Sequence, residues 1–139
     1  MKTTWKWASI GVVLTVLIAL SAPAQNTTII MTFTTTFPFY AGNAKMPAGE
    51  YKVLQTSNTG VLSLESTSGS HSAFVEVRST RVDQAHAQPV VTFKKYGDIY
   101  FLRRFWVGGQ RSGMRVFPSK FEQTQAKQTT GTEESVPAK

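Results

Sequence analysis

From Ile29 the chain alternates: the odd positions read Ile29, Met31, Phe33, Thr35, Phe37 and Phe39, and the even ones are largely threonine. A period of two in β-branched and aromatic residues describes a strand with one face buried. Pro38 cannot donate to a ladder, so this strand ends there or lies at an edge. Similar short runs recur at Tyr51–Val53, Val61–Glu65, Phe74–Arg78, Val90–Phe93, Ile99–Val107 and Met114–Phe117. Leu62 and Leu64 share a face, and Glu76 and Arg78 alternate outward from Val75 and Val77. Reversals separate the runs at Ala41–Asn43, Met46–Glu50, Ser57–Gly60, Ser66–Ser72 and Tyr96–Asp98, where glycine, proline, asparagine and serine collect.

The run from Ile99 to Val107 breaks the pattern. Its odd positions are apolar except Arg103, and its even positions are apolar except Arg104. Neither face is clean, which calls for a bulge or for cover on both faces. Ser79–Pro89 carries no period and is expected to be a long hairpin loop, and Gly108, Gly109 and Gly113 a flexible connection. Ser119 stands three residues before Glu122, a capping-box spacing that predicts a short helix. Residues 128–139 lack an apolar pattern and are expected to form a disordered tail. About five to seven strands in one domain of residues 25–127 must hide one apolar face. The expectation is therefore an all-β fold, a small antiparallel β-barrel (or a sandwich) with a short C-terminal helix.

Ahead of this domain stands a leader. Lys2 and Lys6 precede an uncharged run of 14 residues, Trp7–Leu20, and Ala22 and Ala24 supply the small residues of a cleavage site. As a helix the run reaches about 21 Å at 1.5 Å per residue, less than the roughly 30 Å hydrocarbon core a bilayer span must cross. Residues 1–24 are thus expected to be a signal peptide, and no membrane span is expected in the mature chain. Export to a bacterial periplasm or to the medium follows. The chain has no cysteine, so burial and backbone hydrogen bonding must hold the domain without disulfides.

Met46–Val53, with its Pro-Ala-Gly-Glu-Tyr core, precedes Val90–Leu102, which contains Tyr96-Gly-Asp and Tyr100-Phe-Leu, and Trp106 follows. In these motifs the chain, from Phe33 to Glu122, resembles a group of small exported β-rich proteins common in acidobacteria. Val116–Lys120 takes the place of that group's Leu-Pro-Lys-Ser-like segment with the proline and lysine order altered. The resemblance implies a fold and an exported location, and no activity.

Residue chemistry points away from catalysis. His71 and His86 lie in polar loops, without a second histidine or a carboxylate at ligand spacing, so no metal or other cofactor is expected. No Gly-x-Ser-x-Gly elbow is present, Ser70 beside His71 makes no triad by adjacency, and the glycines at 108, 109 and 113 lack a phosphate-loop pattern. The chain is expected not to be an enzyme.

Charge is the stronger signal. The whole chain carries +7, and residues 94–120 hold seven lysines and arginines against Asp98 alone, with aromatics interleaved. Arg103, Arg104, Arg111 and Arg115 are the candidate contacts to an anionic surface. Export argues against nucleic acid as the partner, leaving an unknown protein or an anionic envelope surface. The expected role is a non-enzymatic β-domain making protein or cell-surface contacts. The alternative is a small-ligand carrier, with a pocket lined by Phe33, Phe37, Leu62, Phe93 and Phe101 and larger than roughly 300 Å³.

Overall fold

A computed structural model describes residues 27–55 and 60–139. The leader expected at residues 1–24 and most of the turn expected at Ser57–Gly60 lie outside the described residues. In chain order the elements are β1 (Thr28–Thr35), β2 (Phe39–Ala41), β3 (Ala44–Met46), β4 (Gly49–Gln55), β5 (Val61–Ser66) and β6 (Ser72–Arg81). They continue with β7 (Val90–Tyr96), β8 (Ile99–Trp106), β9 (Ser112–Val116), α1 (Lys120–Gln128) and β10 (Gly131–Pro137). The all-β class and the C-terminal helix are as expected. The strand count is ten among the described residues rather than five to seven. The three-residue β2 and β3 are too short to show a period, and β10 shows none.

The strands form one mixed sheet in the order β1-β4-β5-β6-β9-β8-β2-β3, with β7 on the other edge of β8 and β10 beyond it. Every pairing is antiparallel except β2 beside β8, which meet in parallel at Tyr40 and Phe101. The expectation of a barrel is overturned, because the sheet is not closed. β8 divides one edge between two partners, β9 along Arg104–Trp106 and β2 at Phe101, so the path branches instead of running on as a ring. The outer strands touch at an isolated bridge, Phe33 to Ala138, beside a Thr32–Lys139 exchange of N–H···O bonds at 3.0 and 2.9 Å. Glu134 shares the inward row with Val136 and Ala138, since Glu134 faces Phe93 and Val136 faces Val91, yet it is exposed. β10 has parted from β1 by that point.

One apolar face is nonetheless hidden. Met31, Phe33, Val53, Leu62, Leu64, Val75, Val91, Phe93, Leu102, Phe105 and Val116 form a common core, each large side chain contributing about 1.5–3 kcal/mol by leaving water. The alternation of β1 holds at Met31, Phe33 and Thr35. It breaks at Ile29, which is 56% exposed because the register shifts between Ile29 and Met31.

Three local expectations need correction. The loop starts later than Ser79, because β6 continues to Arg81 against β9, and it closes no hairpin, since β7 pairs with β8 and β10 rather than with β6. Gly113 lies within β9, where a Cβ would meet the Phe105 carbonyl oxygen at 2.6 Å and the Trp106 ring; glycine there allows close approach rather than flexibility. The tail expected to be disordered from 128 completes α1 and then forms β10, paired with all of β7 from Gly131–Tyr96 to Pro137–Val90. β7 supplies an edge of backbone donors and acceptors, and main-chain pairing needs no apolar pattern.

The arginine interruptions in β8 are resolved by a bulge. Leu102 faces Phe93 and Arg104 faces Thr92, leaving Arg103 as the extra residue. The bulge turns Leu102 and Phe105 into the core and leaves Phe101, Arg103, Arg104 and Trp106 on the outer face. There α1 and the segment before β7 form a second layer. Phe121 of α1 packs on Phe101 and Tyr40 with ring centroids at 5.5 and 5.2 Å, and His86 lies 5.1 Å from Trp106.

Candidate functional site

Register builds the site. On the outer face Arg104 of β8 stands opposite Arg115 of β9, and Arg115 stands opposite Arg78 of β6. Three guanidinium groups on three adjacent strands therefore form one row. Like charges directly opposite destabilise a sheet, so the row costs stability unless anions answer it. Two carboxylates answer it in part. Glu133 of β10 lies 4.0 Å from Arg104, and the buried Glu122 of α1 feels Arg103, Arg115 and Lys94.

The guanidiniums rest on aromatic faces. Arg78 lies 5.1 Å from the centre of the Phe117 ring and Arg104 5.9 Å from that of Trp106, contacts that favour arginine over lysine. Between Arg78 and Arg115 opens a cleft of about 150 Å³, walled by Val116, Phe117 and Pro118. An engineered protein cavity of about that volume holds one benzene molecule, so a single carboxylate- or phosphate-sized group fits. Arg78 and Arg115 are exposed and Arg104 is half-buried.

The other sequence candidates are placed elsewhere. Arg103 is sequestered: it donates to Glu122 Oε1 at 2.6 Å, and both side chains are buried. Ser119 caps α1 by accepting the Glu122 N–H at 3.2 Å. The Glu122 side chain turns to Arg103, so the cap is half of the capping box. Burial raises the Glu122 carboxyl above its ordinary range, and the three nearby cations offset part of that rise. Arg111 lies just ahead of β9, four residues from Arg115, roughly 13 Å away at about 3.3 Å per residue of extended chain. Of the four arginines named from sequence, the row takes Arg104 and Arg115, and it adds Arg78. That residue was legible as an outward side chain, but its partner across the strands was not.

Phe33, Leu62 and Phe93 lie in the core with Phe37 packed against them. Their rings fill the interior against each other, with Phe33–Phe93 centroids at 6.1 Å and Phe37–Phe93 at 5.2 Å. Phe101 is apart from them on the outer face, against Tyr40, Tyr96 and Phe121. Ser70 Oγ and His71 Nδ1 are 3.0 Å apart on an exposed loop. Among the described residues no group of histidine, aspartate and glutamate is arranged to hold a metal ion, and no helix is long and apolar enough to cross a membrane. No protein-family model, curated protein or solved structure matches this chain.

Proposed function

We propose that this chain is an exported bacterial protein, cleaved after Ala24, whose β-domain works without catalysis by holding an anionic group of an envelope partner. The observation that carries this reading is the outer row Arg104–Arg115–Arg78, with its cleft beside Phe117. Such a row opposes folding and suits a ligand that brings negative charge. Export is supported by the charged and apolar leader, and a place among the exported acidobacterial β-proteins by the motifs at Met46–Val53 and Val90–Leu102. The carrier alternative gains no support from interior rings already in contact with one another.

The test starts from protein purified from a host expressing the full chain. At low ionic strength it should pellet with an insoluble acidic polysaccharide and be released near 0.5 M salt, where screening shortens electrostatic reach to about 4 Å. An Arg78→Gln, Arg115→Gln variant should lose at least about fivefold in retention, while Arg111→Gln stays near wild type. Equal retention of all three proteins would dissolve the site.

A further inference from the structure

The cationic cleft has a neighbour. On the other side of Phe117 and Pro118 lies a second cleft, about 300 Å³, between Phe74 and Glu76 of β6 and the Gly42–Asn43 turn that joins β2 to β3. It exists because the sheet is interrupted there. β9 pairs with β6 from Val77 onward, and the last backbone bond of that seam runs from the Phe117 N–H to the Glu76 carbonyl at 3.1 Å. Below it, Ser72–Val75 pair with β5 on one edge, while no strand is paired to the other edge among the described residues. The seam leaves two large aromatics facing water, Phe74 at 74% exposure and Phe117 at 43%.

We propose that the two clefts are one groove for an extended peptide segment of a partner protein, with a carboxylate between Arg78 and Arg115 and an apolar side chain against Phe74. The inference rests on the anion-binding reading above and names its ligand. Shape favours a peptide, since two side-chain-sized hollows share the wall made by Phe117 and Pro118. The first is smaller than the roughly 300–1,000 Å³ of small-molecule sites. Charge favours it too. Two guanidiniums line one hollow, whereas Glu76 lines the other and repels an anion there. A uniformly anionic lipid surface would meet that repulsion, but a peptide can place its acid at one end only. Arg78 and Phe74 are four residues apart on one face of β6, roughly 13 Å, with Phe117 between them. Because an extended chain advances about 3.3 Å per residue, the acid and the apolar residue stand two to four positions apart.

The probe is a capped, fluorescein-labelled heptapeptide in which serine alternates with glutamate and leucine, so that acidic and apolar side chains share a face. Two control peptides replace glutamate by glutamine, or leucine by serine. By fluorescence anisotropy at low salt, wild type should bind the glutamate–leucine peptide at least about tenfold more tightly than either control. Arg78→Gln, Arg115→Gln should lose about tenfold on that peptide and little on the glutamine control, and Phe74→Ser should lose about fivefold. All substituted side chains are exposed, so melting temperatures within about 3 °C of wild type are expected and show that binding rather than folding has changed. Equal affinity for the leucine and serine peptides would overturn the groove while leaving an anion-binding arginine row. Phosphatidylglycerol vesicles bound through Phe74, with no peptide bound, would make the face a lipid-binding one and also overturn it. Wild type binding none of these, and no acidic polysaccharide, would end both readings.

Discussion

Two rows of side chains cross the outer face of the same sheet and are built on opposite principles. On β4 and β5, Lys52 stands directly opposite Glu65, a complementary cross-strand pair of the kind that supports a sheet. On β8, β9 and β6, Arg104, Arg115 and Arg78 stand opposite one another. The first row can be explained by folding alone. The second has no complementary partner across its own strands, and carboxylates from outside them, Glu122 on α1 and Glu133 on β10, answer it in part. The C-terminal segment therefore covers and partly neutralises this part of the sheet, while Arg78 and Arg115 stay open to solvent.

The largest expected effect comes from removing part of that support. Ending the chain after Gln128 deletes β10 with its seven cross-strand positions on β7, the buried Ala138 and Glu133. At about 0.5–1.5 kcal/mol net per hydrogen bond, the loss should exceed about 3 kcal/mol. That lowers the melting temperature by more than roughly 12 °C for a domain of this size. A change within about 2 °C, measured by circular dichroism, would mean that β10 is a passive addition and that the two outer rows do not differ in what supports them.

Next is the buried ion pair that fixes α1 over β8. Arg103→Leu or Glu122→Leu alone should cost about 3–5 kcal/mol by stranding the other charge, whereas the double leucine variant should recover most of that loss. Additive single effects in urea titrations would show that the pair is not coupled. The pH dependence has a definite sign. Burial raises the Glu122 carboxyl in the fold above its ordinary value of 4.5, so the folded state binds more protons in the window just above that value. Stability from this group is therefore greater on the acid side and falls as pH rises through the raised value. Relative to Glu122→Gln, wild type should lose stability across that window, and an opposite slope would mean that Arg103 outweighs burial.

Much of the fold was legible wherever a strand has core on one side and water on the other. Met31 and Phe33, Leu62 and Leu64, and Val75 and Val77 are buried as the alternation indicated, and the Ser119 cap lies where its spacing placed it. Legibility ended where the outer face carries a second layer or where pairing alone makes the structure. In β8 the apolar residues lie on both faces because α1 covers one of them, so period two could not reveal the bulge at Arg103. In β10 the sequence Thr132–Ser135 has no apolar alternation, and only the waiting edge of β7 makes it a strand. The site suffered the same limit. Arg115 was visible as a charge, but its neighbours Arg104 and Arg78 lie 11 and 37 residues away in the chain, and only strand register brings them together.

The smallest effect bears most directly on the two rows. Lys52→Gln removes the attractive member of a complementary pair and should lower stability by up to about 0.5 kcal/mol. Arg115→Gln removes the middle charge of three. It relieves repulsion from both Arg104 and Arg78 and forfeits some attraction to Glu122, whose carboxylate is already bonded to Arg103 at 2.6 Å. The balance should leave stability unchanged or raise it by a few tenths of a kcal/mol, in the range of cross-strand charge effects. Both differences should shrink toward zero in 1 M salt, where screening acts over about 3 Å. Opposite signs for the two variants at low salt, read from urea midpoints at constant slope, would establish that one row serves the fold and that the other is maintained against it. A loss above about 1 kcal/mol for Arg115→Gln would instead make Arg115 a structural partner of Glu122, and the arginine row would lose its main argument as a place for an outside anion.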